Sequence, residues 1–205
     1  MSRRLTVLRG LLLLALLSTL PACTLLSERD PDSLHLLPSA DQPRSDDAPL
    51  PITLRVETPQ APTLLSGARI LVMPEPNRLQ AYQGARWSER TPLLLRDHFV
   101  EAFLQQGGLA TTVDDNSPLS ADVALVIDLR VFHSEYIEGT PVAVIRLDAN
   151  LVDERDRRLL GSRRFEARAT SEGTAVERVV EAFGRASDTL TADLIDWTQD
   201  VLRER

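Results

Sequence analysis

Three consecutive runs of alternating apolar and polar residues lie between Val123 and Ala169, and they set the terms for the rest of the chain. Val123, Leu125, Ile127, Leu129 and Val131 share one side of the first run. Ala143, Ile145, Leu147, Ala149 and Leu151 share one side of the second, and Phe165 and Ala167 point the same way in the third, Leu159 to Ala169. A period of two places each set on one face of a strand. The connections, Glu138-Gly139-Thr140-Pro141 and Asp153-Glu154-Arg155-Asp156-Arg157, are short and turn-like. Alternating strands joined this way form an antiparallel meander whose apolar face has to be covered. The other face is mixed and carries Asp128, Arg130, Arg146, Asp148 and Asn150. Asp128 and Asp148 stand among arginines there, which reads as surface ion pairing and not as an acid/base couple.

Two helices are available as the cover. Thr91-Pro92 opens the first, with threonine as cap and proline at the first helical position. Leu95, Phe99, Ala102 and Phe103 give it an apolar face, and Gly107-Gly108 stops it. The second runs from about Thr174 to Leu202, where Thr174-Ala175-Val176-Glu177 fits a capping box. Val176, Val180, Phe183, Leu190, Leu194, Trp197 and Val201 make one stripe along it. Such a stripe packs on a core or meets a partner, and core packing is the expectation. Gly184 inside this helix costs about 1 kcal/mol relative to alanine, and it permits either close packing or a bend. Upstream, Ile52, Leu54 and Val56 mark a half-buried strand, Ala68 to Pro74 a more buried one ended by proline, and Ala110 to Val113 a short one. The sum is an α+β fold: a two-layer sandwich of a mixed, largely antiparallel sheet with two helices on one face.

The start of the chain is an address. Arg3, Arg4 and Arg9 precede the apolar run Leu11 to Leu17, which is too short to cross a bilayer, and small residues follow. This is a signal peptide over residues 1–22. Leu20-Pro21-Ala22-Cys23 resembles the bacterial lipobox, and Cys23 is the only thiol in the chain. The resemblance implies a diacylglyceryl thioether on Cys23, cleavage before it, and acylation of the new amino group. Cleavage removes three arginines and no acid, so the formal charge moves from -7 to -10. Thr24 follows the cysteine where aspartate favours inner-membrane retention, so an outer-membrane anchor facing the periplasm is expected. Residues 23–50 read as a lipidated cysteine and proline-rich tether, and residues 51–205 as the folded domain. Within the tether, Ser33 to Pro38 is either an edge strand docked on the domain or an isolated apolar spot.

Composition closes several doors. Hydrophobic residues are 43% and charged residues 26%, a globular balance that excludes disorder throughout and a polytopic membrane protein. All 23 basic residues are arginine and the chain is still acidic, which argues against nucleic acid as a partner. One cysteine leaves no intrachain disulfide and no zinc site of four cysteines. His35, His98 and His133 are widely spaced, and His98 and His133 read as ordinary surface or boundary residues. No nucleophile elbow, phosphate loop or dinucleotide fingerprint is present. The expectation is a non-enzymatic protein with no cofactor and no metal beyond its acyl chains.

The unusual segment is Arg78 to Pro92, a loop or hairpin that carries Tyr82, Arg86 and Trp87 in a chain only 4% aromatic. Such aromatic residues suit both packing and partner contact, so Trp87 plugs the open end of the sandwich, anchors an interface, or does both. Tyr82, Arg86 and Trp87 are the candidate partner-binding residues. Arg69-Ile70-x-Val72-x-Pro74, then Leu79-x-x-Tyr82-x-x-x-Arg86-Trp87-Ser88-Glu89-x-x-Pro92-Leu93, then a helix, resembles the ABC-type transport auxiliary lipoproteins, a family that includes the lipoprotein of the paraquat-inducible Pqi system. His35 departs from the tyrosine that members often carry after the tether. The resemblance covers roughly residues 30 to 202 and implies a sandwich like the N-terminal domain of TolB. It also implies an auxiliary role in MCE-type transport of lipid between inner and outer membranes. The partners it implies are an MCE-domain protein, the permease and ATPase of its transporter, and the membrane through the acyl chains, with self-association left open. A lipid-anchored domain of this kind also suits envelope assembly or stability, in the manner of a pilotin or a Tol-like scaffold.

Overall fold

The computed structural model describes residues 31–205; the signal peptide, the lipobox and Cys23 lie outside the described residues. One compact unit spans Asp32–Arg205. Its elements are β1 (Ser33–His35), β2 (Leu50–Val56), β3 (Arg69–Glu75), β4 (Arg78–Trp87), α1 (Thr91–Gln106), β5 (Leu109–Asp114), β6 (Val123–Ile137), β7 (Thr140–Asp153), β8 (Leu159–Thr170) and α2 (Val176–Arg203). The eight strands form one curled mixed sheet. β6, β7 and β8 are the expected antiparallel meander. The other side of β6 is shared by two parallel neighbours: β2 meets its start, at Leu54↔Val123, and β3 its end, at Val72↔Ser134. β5 lies parallel to β2, β4 antiparallel to β3, and β1 parallel to β4. α2 packs on β7 and β8 and α1 on β5 and β2, so the two helices cover the apolar face.

The alternating residues of β7 are buried as their period requires. β6 departs from its period. An extra residue, Arg130, sits between the pairs Leu129↔Leu147 and Val131↔Arg146, and a bulge of this kind reverses the alternation beyond it. Phe132 therefore takes the core position expected of Val131, which is only half-buried. Similarly, β3 does not stop at Pro74 but runs to Glu75. A register shift between Val72 and Glu75 takes up the proline, which has no amide to donate.

Both helix starts differ from expectation. The N-cap of α1 is Arg90 and Pro92 is the second helical residue. Thr91 is tied backwards instead: its amide and its hydroxyl both donate to the Gly67 carbonyl, at 3.0 and 3.1 Å. The N-cap of α2 is Ala175, without a side-chain hydrogen bond, so the Thr174–Glu177 box does not form. The C-terminus of α1 is as expected, with Gly107 at φ 73° donating to the Phe103 carbonyl. The stripe of α2 packs on the core: Val180, Phe183, Leu190 and Leu194 are buried, while Val176, Trp197 and Val201 flank them half-buried.

The largest difference concerns the expected tether. From Asp32 it belongs to the compact unit, so the domain starts before residue 51. β1 pairs with β4, Ala40 is buried, the Ser45 amide donates to the Gln106 carbonyl at 2.7 Å, and Arg203 meets Asp47 at 3.3 Å. Gln42 Nε2 donates to the Asp188 carbonyl at 3.0 Å. Gly184 supplies the seat for this strap. A Cβ added there would stand 2.6 Å from Cγ of Pro38, so the glycine serves close packing.

Candidate functional site

The Tyr82–Trp87 segment is the second arm of the β3–β4 hairpin, turned at Asn77 with φ 63°. Strand alternation sends its residues to opposite faces. Trp87 goes inward and is 0% exposed. Its ring meets Phe183 edge-on at 5.4 Å and Phe132 at 5.8 Å, and those two rings lie 4.8 Å apart. The indole is thus the plug of the sandwich and offers no surface to a partner, which decides between the two roles open to it. Tyr82 is half-buried, and its hydroxyl lies 3.1 Å from that of Ser134 on β6. Burial raises the phenol above its ordinary pKa, and nearby Tyr136 adds to the rise. Tyr82 therefore ties β4 to β6.

Arg86 goes outward and is exposed. Its neighbours across the sheet are Leu34 on β1 and Arg69 on β3, each directly opposite it. No carboxylate lies within 4.0 Å of Arg69 or Arg86 among the described residues. The structure thus separates the three predicted residues: two are structural and only Arg86 faces solvent. Arg69 and Leu34 belong with Arg86, and only the strand register, which periodicity does not reveal, joins them.

Two histidines need correction. His98 and His133 are buried, not surface residues. His133 Nε2 lies 3.2 Å from Glu135 at the end of the meander. His98 sits beneath the strap, between α1 and α2, with Nε2 3.4 Å from Oδ1 of Asp188. That contact makes no hydrogen bond. Burial lowers His98 to about 4, only partly opposed by a hydrogen bond with the Pro38 backbone. The imidazole is therefore neutral at pH 7, and the contact is not an ion pair. Burial also raises Asp188.

The expected ion pairs on the outer face of the meander are present. Asp148 accepts from Arg164 Nε at 2.6 Å and Arg130 Nε at 2.8 Å, which together pull it down to about 2. Asp128 lies 3.4 Å from Arg130, and Glu166 bridges Arg146 and Arg168. These carboxylates are neutralised by arginine and stand on open surface, an arrangement unsuited to proton transfer. Among the described residues no three His, Cys, Asp or Glu side chains come together as metal ligands, and no helix is long and apolar enough to cross a membrane.

Residues 35–194 match the family of ABC-type transport auxiliary lipoprotein components. The chain belongs to this family. Among solved structures, it is similar to protein XCC0632 from Xanthomonas campestris, a DUF330 protein, at 30% identity and TM-score 0.77, over 84% of this chain and 98% of that one. An uncharacterized protein matches at 19% identity and TM-score 0.65, over 82% and 99% of the two chains. The hypothetical protein CT253 from Chlamydia trachomatis matches at 6% identity and TM-score 0.52, over 76% and 100%; at such identities the last two speak to fold alone. No curated protein gives a significant match. The family is one of auxiliary transport components, which agrees with a site built from packing, ion pairs and an exposed arginine. In this chain the Tyr-Arg-Trp segment is a folded hairpin arm, with Trp87 turned into the sandwich and Tyr82 half-buried against it.

Proposed function

We infer that this ABC-transport auxiliary lipoprotein is held by acyl chains on Cys23 in the outer membrane, facing the periplasm. There it docks an MCE-type system that moves lipid between the two membranes. It acts without catalysis: the transporter supplies ATP hydrolysis and the MCE protein the lipid path, while this chain fixes one end of the assembly to a membrane. One observation carries the reading. From Ser33, ten residues past the lipidation site, the chain becomes β1 and then the strap across α1 and α2. An anchor joined to the fold in this way transmits position and force, which suits docking better than free diffusion on a tether.

The experiment has two arms. Cys23→Ser is expected to abolish labelling by a palmitate analogue and leave the precursor uncleaved; unchanged labelling would remove the anchor. Capture from envelope membranes is expected to bring down the MCE protein encoded with the transporter, and its absence would remove the partner. The chain contains no lysine, so a photo-activated crosslinker has to be used in place of an amine-reactive one.

A further inference from the structure

Arg69 and Arg86 stand directly opposite each other on β3 and β4, both exposed. Like charges in that relation are destabilising, and no carboxylate among the described residues lies within 4.0 Å of either. On the same outward face of β1, Leu34 is directly opposite Arg86 and is 62% exposed; Leu36, just past the strand, is 73% exposed. Exposed aliphatic residues beside unopposed arginines are the chemistry of a membrane interface. The guanidinium groups meet phosphates and the leucines enter the acyl boundary. This patch also lies close in sequence to the lipidation site. Ten residue steps separate Cys23 from Ser33, a span of at most about 35 Å fully extended.

We propose that the outward face of the β1–β4–β3 edge, formed by Leu34, Leu36, Arg69 and Arg86, rests on an anionic lipid surface and sets the orientation of the domain on its membrane. Charge supports the assignment. The cleaved chain carries a formal -10, so an anionic bilayer repels most of its surface and favours a place where two arginines stand opposite each other with no carboxylate within 4.0 Å among the described residues. Acyl chains alone hold the protein to a membrane without fixing which face looks at it. This patch supplies the missing rotation and leaves the opposite side of the domain turned to the periplasm. The proposal rests on the membrane anchor of the functional reading, and the test separates the two.

The chain from Thr24, which keeps the whole compact unit but has no acylation site, is mixed with phosphatidylethanolamine–phosphatidylglycerol vesicles and, separately, with phosphatidylcholine vesicles. Sedimentation with the anionic vesicles alone is expected, with affinity falling about fivefold for Arg69→Ala or Arg86→Ala and about 25-fold for both. Arg157→Ala, on a distant turn, is expected to change nothing. In the acylated protein the Cys23 sulfur is blocked, so Leu36→Cys gives a single labelling site. A polarity-sensitive dye there is expected to report an apolar setting in anionic vesicles and to lose it with Arg69→Ala/Arg86→Ala. Equal dye signals in both vesicle types overturn the proposal while the anchor stands. If Cys23 proves not to be acylated, anionic-vesicle binding by the chain from Thr24 still upholds the patch, and its absence overturns it. Unchanged vesicle binding with lost capture of the transport partner reassigns the arginines to a protein and overturns the lipid.

Discussion

The outer surface of this one sheet contains two arginine clusters that differ in whether they carry their own counter-charge. On β6, β7 and β8, Arg130, Arg146, Arg164 and Arg168 interleave with Asp148, Glu166 and Glu135 at bonding distance. On β4 and β3, Arg86 and Arg69 stand opposite each other beside the exposed Leu34, with no carboxylate within 4.0 Å of either among the described residues. The residue type is the same and both clusters stand on strands of this sheet, so the telling difference is whether the chain supplies the counter-charge. Where it does, the arginines finish a structure. Where it does not, the charge is left for something outside the chain. A similar division runs through β4 itself, where Trp87 and Arg86 are neighbours in sequence with opposite destinations.

That division yields the largest expected effect. Trp87→Ala leaves a cavity between Phe132 and Phe183 and is expected to cost roughly 3–5 kcal/mol in denaturant unfolding. Arg86→Ala, one residue away, is expected to change stability by no more than about 0.5 kcal/mol. Comparable losses from both would mean that the outward side of β4 is as structural as the inward side.

The next effect contrasts a buried titratable group with surface ones. His98 is lowered from 6.5 to about 4 by burial, so between those values the unfolded chain takes up a proton that the folded chain refuses. Stability is whole above about pH 6.5 and declines as pH falls toward 4, by about 2–3 kcal/mol in all. Asp188, raised by burial, retains its proton more readily when folded and offsets part of that loss near the lower end. His98→Gln is expected to flatten the pH dependence of the unfolding midpoint across this window. An unaltered profile would show that the imidazole protonates in place.

Much of this architecture was legible beforehand, and what escaped has common physical causes. Periodicity exposed the meander and both helices because it is local: each residue of β7 reports its own face. The Arg130 bulge was hidden, since one added residue leaves the composition of β6 unchanged and alters only the phase after it. The strap was half visible. Ser33 to Pro38 reads equally as a docked strand or an isolated apolar spot, and Gly184 as a site of close packing or of a bend; only the fold joins residue 38 to residue 184. The caps failed for a related reason: Thr91 spends its hydroxyl on Gly67, a loop residue that helix signals do not consider. At the site, Trp87 and Arg86 were singled out together by a motif that is silent about direction. Burial of His98 depended on the strap and was lost with it.

A smaller effect tests the compensated cluster. Asp148 is held at about 2 by Arg164 and Arg130, below its ordinary 3.8. The stability it contributes is present above about pH 4 and is lost as pH falls toward 2. The side chains around it are open to water, so the contribution is expected to be under about 1 kcal/mol and to shrink in salt. Asp148→Asn removes this acid-range dependence and leaves Arg164 as bare as Arg69 and Arg86, while Arg130 keeps only Asp128 at 3.4 Å. If the variant also gains affinity for anionic vesicles, unpaired arginine on this sheet binds lipid wherever it occurs, and the β1–β4–β3 face owes its orientation to the adjacent leucines.

The smallest effect in stability carries the sharpest contrast in function. Arg86→Glu places a carboxylate directly opposite Arg69 and turns a repulsive cross-strand pair into an attractive one. Such pairs are worth roughly 0.2–1 kcal/mol, so the variant is expected to unfold at a slightly higher denaturant concentration, with a gain that fades as salt screens the pair. Vesicle binding is expected to fall by more than it does in Arg86→Ala, since one cation is lost and the other is satisfied. A substitution that stabilises a domain while removing an interaction marks a residue kept against the interests of the fold. If Arg86→Glu lowers stability instead, the two arginines are held apart well enough to be indifferent to each other, and their exposure needs no external anion to account for it.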